Sequence, residues 1–249
     1  MKKIILMDMD GTITPARKPI EQIMIDKLNN VLDKGISIAI VSGSTYGYIL
    51  EQLSSWSRIE DPNVWVMPCN GTQCYHQGEE IYSLNMREAV SEEDWKSLMQ
   101  LLFLGMSTVC VEEFPITGDH VSYRGSTINY CPVGRNANDA ERQAFKEWDT
   151  KTNYRAKFAD DMTKSPLGAI FKFKVGGNTS VDIYPIGWDK SYAFRHFEGF
   201  DEIYFIGDRC EPMGNDYEGY IKAGQFGKIT HGPDQTIHIL SEILEGSIS

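Results

Sequence analysis

The chain has 249 residues, with 24 Lys and Arg against 35 Asp and Glu, for a formal net charge of −11. Apolar residues make up 41% and charged residues 24%, an ordinary globular balance in a chain long enough for one large core or two smaller ones. The acidic surplus argues against a nucleic-acid binder and against docking on an anionic membrane, and any anionic ligand must be held by locally gathered cations.

In chain order, Lys2–Met7 reads as a buried strand running into Asp-Met-Asp-Gly-Thr. Ile20–Leu32 carries apolar residues near a helical period and stops at Gly35. Ile36–Val41 is a second strand, Thr45–Leu53 a second helix, and Val64–Met67 a third strand, with Asn70-Gly71 as a hairpin turn. This β-α-β-α-β rhythm predicts a parallel sheet covered on both faces. The rhythm then changes. Ser91–Leu104 reads as a helix capped by Ser91 with Asp94 three residues on, followed by short strands at Thr108–Glu113, His120–Tyr123 and Thr127–Tyr130. Helices at Asp139–Lys151 and Asn153–Thr163 precede a hairpin, Ala169–Val175 and Ser180–Tyr184, around Gly176-Gly177. From Trp188 the α/β rhythm returns: helix 190–197, strand 202–206, a helix near 214–221, strand 226–229 and helix 235–244. The predicted architecture is an α/β core, 1–81 and 187–249, interrupted by an α+β insert over 82–186.

Five cysteines, at 69, 74, 110, 131 and 210, form no CxxC pair and suit neither a disulfide framework nor a zinc site. The five histidines show no metal-ligand spacing. Asn70-Gly71-Thr72 and Asn178-Thr179-Ser180 match the glycosylation pattern by chance, since Asp8 and Asp10 cut the first apolar run too short for a signal peptide. No stretch approaches a membrane span, and the cytoplasm is the expected address.

Chemistry gathers at strand ends. Asp8, Asp10 and Asp208 lie at the carboxyl ends of predicted parallel strands, where open α/β sheets bind ligands. Carboxylates brought together there repel one another unless a hard cation such as Mg²⁺ joins them. A carboxylate can attack phosphorus to give an aspartyl-phosphate; Asp8 is the candidate, with Asp10 as acid and base. Ser42 follows the second strand, where its hydroxyl and nearby amides can hold a phosphate oxygen or simply cap a helix. Lys190 follows Gly-Trp-Asp and could neutralise nucleophile and phosphoryl group, or be a solvated lysine.

Asp8-Met9-Asp10-Gly11-Thr12, Ser42, Lys190 and Gly207-Asp208 through Asn215-Asp216 resemble the four motifs of the haloacid dehalogenase (HAD) superfamily. Within it, the chain resembles the eukaryotic-type phosphomannomutases. The resemblance rests on Asp10 through Arg17, Gly187 through Lys190, Gly176 through Asp182, and the spacing of Arg124, Arg135 and Arg142. It implies a HAD-like Rossmannoid parallel-sheet core with a cap that closes over the site and excludes water. It implies Mg²⁺ on Asp8, Asp208 and the backbone carbonyl of Asp10, supported by Asn215 and Asp216. Arg17, Arg124, Arg135, Arg142, Ser180 and Asp182 match sugar-phosphate contacts, and arginine forks suit phosphate. Arg142 could equally form a solvated pair with Glu141. The activity implied is interconversion of mannose 6-phosphate and mannose 1-phosphate, with hexose 1,6-bisphosphate as activator; the alternative is a Mg²⁺-dependent sugar-phosphate phosphatase. A hexose phosphate substrate and a homodimer through the cap are the implied partners. Three departures stand out: Ser42 replaces a usual glycine, Gly125-Ser126-Thr127 a usual Asn-Gly-Met, and 217–222 a run that can hold a second cation.

Overall fold

The computed structural model describes residues 1–109, 113–212 and 214–246, and the chain divides into two compact units, 1–83 with 187–249, and 84–186. In chain order the first unit begins with β1 (Lys3–Met7), α1 (Gln22–Asp33), β2 (Ser37–Val41), α2 (Tyr46–Gln52), β3 (Val64–Met67), a single turn α3 (Pro68–Gly71), β4 (Gln73–His76) and β5 (Glu79–Ser83). The second unit contains α4 (Met86–Ala89), α5 (Glu92–Ser107), β6 (Val121–Tyr123), β7 (Ile128–Tyr130), α6 (Asp139–Thr152), α7 (Tyr154–Lys164), β8 (Phe171–Gly176) and β9 (Ser180–Pro185). The first unit resumes with 3₁₀ turns over Lys190–Phe197, then β10 (Glu202–Gly207), α8 (Tyr217–Ala223), β11 (Gly227–Ile229) and α9 (Pro233–Glu245).

Among the described residues the first unit's sheet runs β11-β10-β1-β2-β3-β4-β5, parallel through β3 and antiparallel at β4 and β5. β1 is an unbroken apolar run because both faces of a central parallel strand are covered; Ile4 through Met7 are all buried. α1 lays Met24, Ile25, Leu28, Val31 and Leu32 onto one face, and Gly35, at φ 75°, lets the chain leave the helix and enter β2.

Several expectations need correction. The tight two-residue turn is Gln77-Gly78, both at positive φ, between β4 and β5. Asn70-Gly71 instead belongs to a longer reversal from β3 to β4, in which Cys69, Asn70 and Gly71 all have positive φ. β4 and β5, the latter at the sheet's edge, escaped sequence analysis because strands this polar and this short carry no apolar alternation. The expected helix over 190–197 is wound as 3₁₀ turns, burying Lys190, Ala193, Phe194 and Phe197. Of the strand expected over Thr108–Glu113, residues 110–112 lie outside the described residues, and Thr108 is the C-cap of α5. The expected helix near 214–221 starts later, at Tyr217.

In the second unit an antiparallel sheet runs β6-β7-β9-β8. One face is apolar and covered by helices: Tyr130 meets Phe158 of α7 at 4.9 Å between ring centroids. The other face carries a polar row in register: Ser122, Asn129, Asp182 and Lys174 stand opposite one another across β6, β7, β9 and β8. Arg155 of α7 fastens the β8–β9 turn. Its Nε donates to Asp149 Oδ2 at 2.9 Å, and its Nη1 to the carbonyls of Gly176, Gly177 and Ser180 at 3.2–3.3 Å. Arg155→Met strands Asp149 and three carbonyls, and should lower unfolding free energy by about 3 kcal/mol in urea melts.

Candidate active site

Register pairs Met7 of β1 with Ile206 of β10 and Ile40 of β2. Asp8, Asp208 and Ser42, just beyond these positions, therefore emerge together at the carboxyl ends of three adjacent parallel strands. The chain turns tightly after Asp8: the amides of Thr12, Ile13 and Thr14 converge on the Met9 carbonyl at 3.0–3.2 Å. Gly11 sits at φ 87°, and a Cβ there would stand 2.6 Å from an Asp208 carboxylate oxygen, so conformation and contact both demand glycine.

Lys190 is 0% exposed. Its Nζ donates to Asp8 Oδ1 and Asp216 Oδ1. The other oxygen of Asp216 accepts the Arg209 amide at 3.0 Å. A Cβ on Gly207 would lie 2.6 Å from Asp216 Cγ, so the end of β10 must be bare for Asp216 to reach Lys190. Asp189 anchors the lysine's segment by accepting from the Ser191 amide at 3.0 Å. Carboxylate oxygens of Asp8, Asp208 and Asp216 lie within 4.8 Å of one another.

Electrostatics follow from this crowding. Burial raises the pKa of Asp8 well above the usual carboxylate range, and Asp216 raises it further, against the pull of Lys190. Burial pulls Lys190 down, but Asp216 and Asp8 outweigh it and hold the ammonium above its ordinary value. Burial and Asp216 push Asp208 up to about 6. One ammonium thus faces three carboxylates. Next in the chain to Asp216, Asn215 Oδ1 is buried without a hydrogen-bond partner. An all-oxygen donor set with surplus negative charge fits Mg²⁺.

Asp10 points elsewhere. Its Oδ1 accepts from the Arg17 amide at 2.6 Å and from Gln52 Nε2 at 3.2 Å, and Thr14 Oγ1 donates to Gln52 Oε1 at 3.0 Å. Arg17 reaches this geometry at φ 62°. Ser42 is buried; its Oγ accepts from the Ser44 amide at 3.1 Å, a local turn bond.

Within the second unit, Arg124, Arg135 and Arg142 gather. Partial burial, then Arg124 and Arg142, lower the pKa of Arg135, although the residue as a whole is exposed. Arg135 Nη1 donates to Asn129 Oδ1 at 2.9 Å. Arg142 braces the loop before α6: it donates to Ala137 O at 2.8 Å, Arg135 O at 2.7 Å and Thr179 Oγ1 at 3.0 Å. The solvated Glu141–Arg142 alternative does not hold, since Glu141 serves the capping box with Asn138. Asp182 Oδ1 accepts from Asn129 Nδ2 at 2.6 Å, and Ser180 Oγ donates to Gly176 O at 3.1 Å. A Cβ on Gly176 would lie 2.2 Å from Asp182 Oδ2, which explains the glycine in that segment.

Residues 24–246 match the family model described as eukaryotic phosphomannomutase. The chain belongs to the eukaryotic phosphomannomutase family. It is 34% identical to the phosphomannomutase of Schizosaccharomyces pombe, over 97% of this chain and 94% of that protein. It is 32% identical to the phosphomannomutase of Encephalitozoon cuniculi, over 98% of this chain and 94% of that protein. The fold is shared more widely. A haloacid dehalogenase-like hydrolase from Bacteroides thetaiotaomicron aligns with TM-score 0.63 at 15% identity, covering 98% of this chain and 100% of that one. IMP-nucleotidase from Plasmodium falciparum aligns with TM-score 0.64 at 14% identity, covering 98% of this chain and 68% of that one.

Two residues of this family member escaped sequence analysis. Gln52 is a buried polar residue between Ile49 and Leu53 on α2, and its misfit in an apolar face was the available signal. Asn129 sits between Ile128 and Tyr130 on a three-residue strand too short to show alternation. If Asp208 is a cation ligand, its carboxyl, pushed up to about 6, has to lose its proton before binding below that pH. The apparent Mg²⁺ affinity should therefore hold near pH 8 and fall by up to about tenfold per pH unit below about pH 6, read by calorimetric titration.

Proposed function

We propose that the chain interconverts mannose 6-phosphate and mannose 1-phosphate through an aspartyl-phosphate on Asp8 and a hexose 1,6-bisphosphate. The observation that carries this reading is the buried Asp8–Lys190–Asp216 chain beside Asp208, in a member of the phosphomannomutase family.

An Asp8 carboxylate oxygen attacks phosphorus, and the bond between phosphorus and the sugar oxygen breaks. Asp10 Oδ2 gives its proton to the departing oxygen while Oδ1 stays tethered to Arg17 and Gln52. In the return step Asp10 takes the proton from the incoming sugar hydroxyl, whose oxygen attacks the phosphorus and frees Asp8. Mg²⁺, held by Asp8, Asp208 and the Asp10 carbonyl with Asn215 and Asp216 behind, would neutralise the phosphoryl oxygens. Lys190 favours the ionised form of Asp8, against burial and Asp216, and offsets the charge of the transferring group. Ser42 is the proposed contact to a phosphoryl oxygen. The sugar's second phosphate needs its own cations, and Arg124, Arg135 and Arg142 are the proposed set, with Arg17. Ser180 and Asp182 take the sugar hydroxyls. Hexose 1,6-bisphosphate primes the cycle by phosphorylating Asp8. The proposed partner is a second copy of the chain, supported by Phe103 and Leu104 of α5, which are 64% and 61% exposed.

Phosphorus NMR of the protein with Mg²⁺, mannose 1-phosphate and a trace of hexose 1,6-bisphosphate should show a growing mannose 6-phosphate signal. Inorganic phosphate as the main product would make the chain a phosphatase instead. Asp8→Asn should remove turnover by at least about 10³-fold with an unchanged circular-dichroism spectrum. Retained turnover in that variant would rule out Asp8 as nucleophile.

A further inference from the structure

The polar row of the second unit's sheet places opposite charges one residue apart. Asn129 stands between them and is 3% exposed. Its carboxamide is used at both ends: Oδ1 accepts from Arg135 Nη1 at 2.9 Å, and Nδ2 donates to Asp182 Oδ1 at 2.6 Å. Register sets Lys174 across from Asp182 and Ser122 across from Asn129, while Arg135 reaches Asn129 from the loop beyond β7.

A carboxamide satisfies a guanidinium with its oxygen and a carboxylate with its NH₂ group, yet carries no charge. Without it, Arg135 and Asp182, each now within hydrogen-bond distance of the one carboxamide, would be drawn into a direct charge-assisted pair. Such a pair would consume the guanidinium that a phosphate needs and the carboxylate that sugar hydroxyls need. Like-charged Arg124 and Arg142 already disfavour the cation at Arg135, which would strengthen the tendency to close on Asp182. Aspartate at position 129 would neutralise Arg135 and repel Asp182, and a shorter side chain would leave both ends unheld. The geometry points to Asn129 as a positioning residue, a neutral spacer that holds Arg135 and Asp182 in place for ligand while preventing them from quenching each other. This inference rests on the assignment of Arg135 to phosphate and Asp182 to the sugar made above.

A double-mutant cycle on the full chain tests it, with inorganic phosphate as the probe and phosphorus NMR titration without Mg²⁺ as the readout. Arg135→Ala defines the binding that depends on this arginine. Asn129→Ala should weaken that binding at least fivefold. Adding Asp182→Asn to Asn129→Ala removes the quenching anion and should restore affinity to within twofold of wild type. A packing role for Asn129 would not be rescued by a second substitution in the same row. The spacer role is overturned if Asn129→Ala binds phosphate within twofold of wild type, or if the double variant binds as weakly as Asn129→Ala. If Arg135→Ala itself leaves phosphate binding unchanged, the assignment of the arginines falls, and the spacer with it. Asn129→Ser run through the same cycle keeps a polar side chain at the buried position and answers the question should Asn129→Ala fail to fold.

Discussion

A lysine with no solvent exposure organises the first unit. An ammonium taken wholly out of water is costly unless its charge and its protons are met on the spot, and Lys190 is met by Asp8 from the end of β1 and Asp216 from the loop after β10. Those two carboxylates come from positions 208 residues apart in the chain, so the pairing ties the two halves of the unit together. It also dictates where side chains must be missing. Gly11 lets the first loop lie against Asp208, and Gly207 leaves space for Asp216 to approach the lysine. The cluster remains short of positive charge with Asp208 included. That deficit gives the cluster the charge and oxygen donors that suit the proposed Mg²⁺.

The second unit solves the opposite problem. In a chain with a net charge of −11, cations for a phosphate must be concentrated rather than spread. Three arginines are brought close enough that Arg124 and Arg142 depress the pKa of Arg135. Holding like charges together requires scaffolding. Arg142 spends its donors on backbone and Thr179, and Arg155 fastens the turn that carries Ser180 and Asp182. Arg155 is itself buried, its guanidinium taken up by Asp149 and the carbonyls of that turn.

The chemistry asked of these residues divides in the same way. The proposed transfer to and from Asp8 needs an ionised nucleophile, and the direct hydrogen bond from Lys190 pulls against the burial and the Asp216 charge that raise the Asp8 pKa. Proton transfer needs a carboxyl outside that cluster, and Asp10, two residues on, faces Arg17 and Gln52 instead. Adjacent aspartates thus occupy unlike environments, one desolvated among charges and one held by neutral amides, which suits them to unlike roles.

Much of the architecture was legible in the amino-acid order. β1, β2 and β3 are continuous β-branched and apolar runs because both of their faces are buried, and α1 announces itself by its period and α5 by its Ser91 cap. Asp8, Asp10, Lys190 and Asp208 could be singled out because local motifs mark strand ends and tight turns. β4 and the edge strand β5 could not, since their residues show no apolar period to read. Nor could the 3₁₀ winding of 190–197, or the role of polar residues on short elements such as Asn129 and Gln52. Local order determines which segments are strand, helix or turn, because backbone preference and one-sided burial act over a few neighbours. Which charges face one another was decided only by tertiary structure: hydrogen bonds and ion pairs act through space, between Lys190 and Asp8 or between Asn129 and Asp182, across separations of 182 and 53 residues that no local pattern spans.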